Sequence, residues 1–233
     1  MIARRGAPMA EAGLSPATVA AFGSKTRGKI LRASLALFDE QGFDFVTTAQ
    51  IATTADVLEG TLWYHFKTKK DLVLAHLDTM EQRLEEHFGQ PFPEAPAQAV
   101  ETFLALFGIL WEFRYLLRDP LFALEPREAI LERLRDSYVR IEGLVEDRLR
   151  AAEAAGRLDL RGACVREIAA NCVMIGRFHM DYARIRHRES VDTELQTGAR
   201  AIASLLRPYM TEGVAGVLRT RDPGATPDRS EGQ

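Results

Sequence analysis

Apolar residues recur at spacings of three or four through most of this chain, and no alternating run of β-branched residues marks a strand. The pattern predicts an all-α fold. A first helix is expected from near Ser24 to about Gln41, with Ile30, Leu31, Ala33, Leu37 and Phe38 on its apolar side and Gly42 at the stop. Thr47 and Gln50 have the spacing of a capping box and open a short helix to about Ala55. After a tight turn at Asp56-Val57 a second short helix covers Leu58 to His65. Thr68 and Asp71 then open a longer one through Leu72, Leu77 and Leu84.

Pro91, Pro93 and Pro96 break the period and separate this N-terminal unit from a larger helical one. Further helices are expected near 97–118, 126–155, 163–187 and 191–210. Residues 1–23 and 213–233 read as mobile tails. The expected organisation is an arm over 1–23, a small helical unit over 24–72, a larger helical unit over 73–212, and a disordered tail over 213–233.

Two short helices joined by a tight turn and braced by a longer one are the parts of a helix-turn-helix, whose second short helix enters the DNA major groove. Ile51, Ala52, Val57, Leu62 and Phe66 can pack inward. Glu59, Thr61, Trp63, Tyr64 and His65 are left to compete for outward positions. Exposed rings with polar tips, followed by Lys67, Lys69 and Lys70, suit a rim of phosphate oxygens better than bare solvent. Gly60, costly inside a helix, permits the close approach of DNA or of another helix. Lys25 and Arg27 add positive charge at the start of the first helix.

The block Gly60-Thr61-Leu62-Trp63-Tyr64-His65-Phe66-Lys67-Thr68-Lys69, with Ile30-Leu31, Ala33, Leu37-Phe38, Gly42-Phe43, Thr47-Thr48, Ile51-Ala52 and Leu72, resembles the TetR family of one-component transcriptional regulators. The resemblance covers about 50 residues at motif level. It implies a homodimer that binds a double-stranded DNA operator through its N-terminal helices and answers to a small ligand in the C-terminal unit. By position, Thr48, beside Thr47, resembles a phosphate contact, Leu58 to Tyr64 the base-reading stretch, Tyr64 and His65 an aromatic and imidazole on phosphate, and Lys69 the phosphate-binding lysine. Asp56 stands where the family usually has the turn glycine, Leu58 at the usual Ser or Thr cap, and Trp63 at a common tyrosine. Two-fold symmetry places recognition helices about 34–36 Å apart, so a palindromic operator is expected. Repression is favoured because occupying a promoter needs no polymerase contact.

Aromatic residues are dense near 97–118, and an effector pocket for a small apolar or aromatic molecule is expected around Phe107, Trp111, Tyr115, Tyr138, Phe178 and His179. A dimer face is expected at Ile175, Tyr182, Ile185, Leu195, Ile202 and Leu206. The net charge of −3 gives no global attraction for polyanions, so any DNA site must be local. Cys164 and Cys172, about 12 Å apart on one expected helix, cannot pair there, and such sparse cysteine suits a reducing cytoplasm. No membrane segment, metal or cofactor is expected. The rival readings are an all-helical enzyme and a protein-binding adaptor without DNA affinity. The five histidines are scattered, and no zinc spacing, phosphate loop or nucleophile elbow supports catalysis.

Overall fold

The apolar stripe of the first expected helix is buried almost to the atom: Ile30, Leu31, Ala33 and Phe38 have no exposed surface. The computed structural model describes residues 13–91, 93, 96–117, 127–186 and 191–212. Among them the helices are α1 (Pro16–Phe22), α2 (Thr26–Gln41), α3 (Thr48–Thr54), α4 (Glu59–His65), α5 (Lys69–Phe88), α6 (Pro96–Glu112), α7 (Arg114–Leu117), α8 (Arg127–Ala154), α9 (Val165–Arg186) and α10 (Val191–Leu206), with single 3-10 turns at Phe43–Phe45 and Arg207–Tyr209. The described residues contain no strand, only an isolated antiparallel bridge between Leu158 and Met210.

Local chemistry sets the boundaries. Gly42 ends α2 at φ 87°, its N–H bonded to the Phe38 carbonyl. Both capping boxes form: the Thr47 hydroxyl accepts from the Gln50 N–H while the Gln50 side chain accepts from the Thr47 N–H, and Thr68 and Asp71 do the same for α5. Asp56 takes the left-handed conformation, φ 55°, that lets α3 turn into α4. Leu62 and Phe66 then bury beneath α4 against α2 and α3.

Residues 16–22, expected within a mobile arm, instead form α1. Ser15 caps it by accepting from the Thr18 N–H at 3.3 Å, Pro16 occupies its first turn, and Phe22 is 5% exposed. The Phe22 ring lies 5.7 Å from His76 and 6.2 Å from Phe113, so one anchored aromatic ring docks the whole segment. The tail expected over 213–233 and residues 1–12 lie outside the described residues.

The helix expected near 97–118 breaks at Phe113 into α6 and α7. Arg114 donates to the freed Trp111 carbonyl at 2.8 Å, and the break sends Phe113, Tyr115 and Leu116 into the core shared with α2 and α5. There His76 and Tyr115 meet, both fully enclosed. The Leu31 carbonyl can only accept, so His76 Nε2 carries the proton toward it at 3.0 Å, and Nδ1 accepts from the Tyr115 hydroxyl at 2.6 Å. Ser34 Oγ lies 3.2 Å from the same Nε2 and donates to the Leu31 carbonyl at 3.1 Å. Burial holds the imidazole neutral, its pKa pushed down to about 3. On the rim of this junction Arg114 pairs with Asp39, which ties α7 to α2.

A second core fills the C-terminal helices. Phe107 of α6, Leu149 of α8, Ile168, Ala169 and Cys172 of α9, and Ile202 and Leu206 of α10 are among its buried members. Cys164 is exposed just before α9, not within it, and Cys172 is buried with its thiol pushed up to about 12. Arg133 of α8 reaches Glu81 at 2.7 Å and Asp78 at 2.8 Å on α5, bracing α8 onto the helix that follows α4.

Candidate nucleic-acid interface and effector cavity

The rings at the end of α4 face outward. Tyr64 is 77% exposed and Trp63 39%, while Leu62 between α4 and the core is sealed. His65 is half-buried with its ring edge-on to Tyr64 at 5.3 Å, and the Lys67 ammonium stands 5.9 Å from the Tyr64 ring. Among the described residues Gly60 has nothing near the place a Cβ would occupy, so none of them fills the space above it. Leu58 is the N-cap residue of α4, offers no side-chain cap and is 80% exposed. Among the described residues none covers this leucine side chain, and capping is lost by having it.

Thr48 and Glu59 come together: the Thr48 hydroxyl donates to the Glu59 carboxylate at 2.8 Å, locking the start of α3 to the start of α4. Thr47 is committed to its capping box, and Thr61 is half-buried. Lys25, the N-cap residue of α2, and Arg27 are both exposed, and the Arg27 guanidinium lies 5.2 Å from the Phe66 ring, beneath α4. Lys69 departs from the expected phosphate reach. Its ammonium turns inward, donating to the Phe43 carbonyl at 2.5 Å over the Phe43 ring, and partial burial lowers its pKa. Sequence reasoning also passed over Phe45, 80% exposed in the 3-10 turn just before α3. Its signal was a second aromatic beside Phe43 where only one can pack inward.

Below the junction an apolar cavity of about 160 Å³ runs between α5, α6, α8, α9 and α10. Leu77 and Leu84 of α5, Leu110 of α6, Leu116 of α7, Ile141 of α8 and Cys172 of α9 form much of its wall, with Tyr138, Arg148, Arg157 and Arg177 among the polar members. Of the six aromatic and imidazole positions expected to form a pocket, only Tyr138 lines this cavity. Phe107 is core, with His179 buried edge-on against it at 6.0 Å. Trp111 is half-buried against the second core, Tyr115 belongs to the His76 junction, and Phe178 is 61% exposed. The α6 break explains Tyr115, since an unbroken helix would not have rotated it toward α2.

The expected dimer face divides similarly. Ile202 and Leu206 are buried inside the monomer at 3% and 2%, and Ile175 is half-buried against the same core, so these three point inward. The side chains of Ile185 and Leu195 lie outside the described residues. Tyr182 is exposed, and Met174 and Phe178 continue its stripe at helical spacing along α9, with Val139 of α8 exposed as well. Amphipathic spacing alone does not reveal which of two apolar stripes the monomer has already covered.

This combination, a short outward-facing helix behind a turn with a larger cavity-bearing helical unit, defines a helix-turn-helix DNA-binding regulator. The model of bacterial regulatory proteins of the tetR family matches residues 30–76, and that of the TetR bacterial transcriptional repressor matches residues 78–215. The chain belongs to the TetR family of transcriptional regulators. It is 36% identical over 62 residues to the HTH-type transcriptional regulator QacR of Staphylococcus aureus (strain Mu50 / ATCC 700699), a stretch covering 27% of this chain and 33% of QacR. The match to QacR, like those to the AcrR and TcmR regulators, spans only 33–39% of the relative's length. A TetR-family regulator from Marinobacter aquaeolei VT8 superposes with a TM-score of 0.71 at 24% identity, covering 85% of this chain and 98% of that one. The SmeT–triclosan complex superposes with a TM-score of 0.61 at 21% identity, covering 81% and 93%. SmeT is the repressor of the Stenotrophomonas maltophilia multidrug efflux pump SmeDEF. Among the described residues, no helix is long and apolar enough to cross a membrane.

Proposed function

We propose that the chain is a repressor that binds a palindromic operator as a homodimer and is released by a small apolar or aromatic effector. The observation that carries this reading is the uncovered end of α4, where Tyr64, with Trp63 beside it, offers a ring with a polar tip to a partner. In this reading residues 24–72 hold the DNA. Glu59, Gly60, Thr61 and Trp63 face the bases, with Leu58 suited to a thymine methyl. Thr47, Thr48, Tyr64, His65, Lys25 and Arg27 set the position on phosphates. Lys69 acts through the 3-10 turn that it pins. Residues 73–212 carry the effector cavity and the dimer face, the latter built on Met174, Phe178 and Tyr182.

Leu77 and Leu116 support a route between the two functions. Both line the cavity, and each directly follows a member of the His76–Tyr115 pair that joins α5 and α7 to α2. An effector that fits one spacing of α5 and α7 better than the other shifts the distance between recognition helices by its differential affinity alone. Retarded migration of a fragment of the chain's own promoter tests this reading. Binding should fall steeply as salt rises and be reversed by an effector. A chain that shows no operator anywhere in a genomic selection contradicts it.

A further inference from the structure

Glu59 is the single acidic residue of α4, and it stands exposed between Leu58 and Gly60 at the start of that helix. A negative charge facing a polyanion weakens binding to every sequence alike unless a donor meets it. The side chain is also held in place. Across the turn the Thr48 hydroxyl, at the first position of α3 and eleven residues away along the chain, donates to Glu59 Oε1 at 2.8 Å. A hydroxyl has one proton to give, and a phosphate oxygen can only accept. While Thr48 holds Glu59, its side chain therefore cannot donate to a phosphate, and that contact falls to its backbone N–H, which as the first of α3 has no partner within the helix. An ionised carboxylate still has lone pairs to offer after one such bond. Beside it Gly60 carries no Cβ, and among the described residues nothing fills that space, so a base edge can come close.

Resting on the DNA-binding reading above, we infer that Glu59 selects a cytosine in each operator half-site and that Thr48 is a positioning residue that aims its carboxylate. In the major groove guanine presents only the acceptors N7 and O6, and thymine an O4 acceptor beside its methyl, so neither can donate to Glu59. Adenine has an N6 donor but sets the N7 acceptor next to it. Cytosine alone presents its N4 donor with no acceptor of its own on that edge. The discrimination therefore runs cytosine above adenine, with thymine and guanine last. Thr48 contributes by ordering a rotamer-rich side chain before DNA arrives, which spares that cost at the moment of binding.

Fluorescence anisotropy of the full chain on a duplex from its own promoter or from a genomic selection reads this order, with each half-site position changed symmetrically to every other base pair. The native chain should show a position where cytosine binds about tenfold tighter than guanine or thymine. Glu59→Ala should level that position, and Glu59→Gln should move its preference toward adenine, whose N6 and N7 an amide matches. Thr48→Val should cut the cytosine advantage about threefold while changing affinity for the other duplexes by less than about twofold, and Thr48→Ser should restore it. All four variants should melt at the native temperature, since Glu59 is exposed and Thr48 lies outside the core. A native chain without a cytosine position, or one whose preference survives Glu59→Ala in the folded variant, overturns the inference while the DNA-binding reading stands. An equal loss on every duplex for Thr48→Val returns its hydroxyl to a phosphate and overturns the positioning of Glu59. A native chain that binds no duplex overturns both readings together.

Discussion

Replacing Tyr115 by Phe removes a single oxygen from the junction between the DNA-binding helices and the cavity. That oxygen donates to His76 Nδ1 at 2.6 Å, and both residues are enclosed, so no water can take its place without a rearrangement. Nε2 is already committed to the Leu31 carbonyl, which fixes the tautomer and leaves Nδ1 an orphaned acceptor in the variant. An unsatisfied buried acceptor costs about 1–3 kcal/mol, whereas the phenyl ring keeps nearly all the packing. Urea unfolding followed by circular dichroism should show the midpoint falling with the slope unchanged, and a melting temperature lower by about 2–4 °C per kcal/mol. Adding His76→Leu to Tyr115→Phe should cost less than the two single changes together, because the second removal leaves no orphan. An unchanged midpoint for Tyr115→Phe would refute the tautomer and the network built on it.

Three further outcomes are expected. His76 stays neutral in the fold down to about pH 3, while its unfolded form takes a proton below the ordinary 6.5, so between these values the unfolded chain binds more protons. Stability is full above pH 6.5 and falls on acidification through that window by up to about 1.4 kcal/mol per pH unit for this one group; a urea midpoint flat from pH 7 to 5 contradicts it. In Gly28→Ala the new Cβ would lie 2.0 Å from the Gly23 carbonyl oxygen, so α1 must separate from α2, with a loss of about 1–3 kcal/mol or more by thermal melting. Phe178→Asp, on the exposed stripe of α9, should yield monomers by analytical ultracentrifugation with helicity retained, and a dimer of undiminished affinity would place the interface elsewhere.

Elements held by local chemistry were legible in the sequence. Thr47-x-x-Gln50 and Thr68-x-x-Asp71 announce their caps, Asp56 its turn, and Gly42 its stop, each by interactions within four residues. The outward rings of α4 were legible too, because Leu62 and Phe66 claim the inner face and leave Trp63 and Tyr64 outside it. What escaped depends on contacts distant along the chain. Phe22 and the short α1 are anchored by His76 and Phe113, far along the chain, and the α6–α7 break is rewarded only in the core that α2 and α5 complete. The cavity's arginines escaped for the same reason: Arg148, Arg157 and Arg177 look like ordinary solvated charges until three separate segments fold around one space. Lys69 shows that a motif position fixes where a residue sits but not where its flexible stem points.

The central claim, that DNA covers the exposed end of α4, is tested most directly by fluorescence anisotropy with the duplex footprinted on the chain's own promoter, comparing the native chain with Tyr64→Ala. Tyr64 is 77% exposed and supports no core contact, so the variant should melt at the native temperature. Its affinity should fall about tenfold, the loss of one phosphate hydrogen bond and the ring contact beside it. Equal affinity for a folded variant would mean that the helix-turn-helix meets DNA through some other surface.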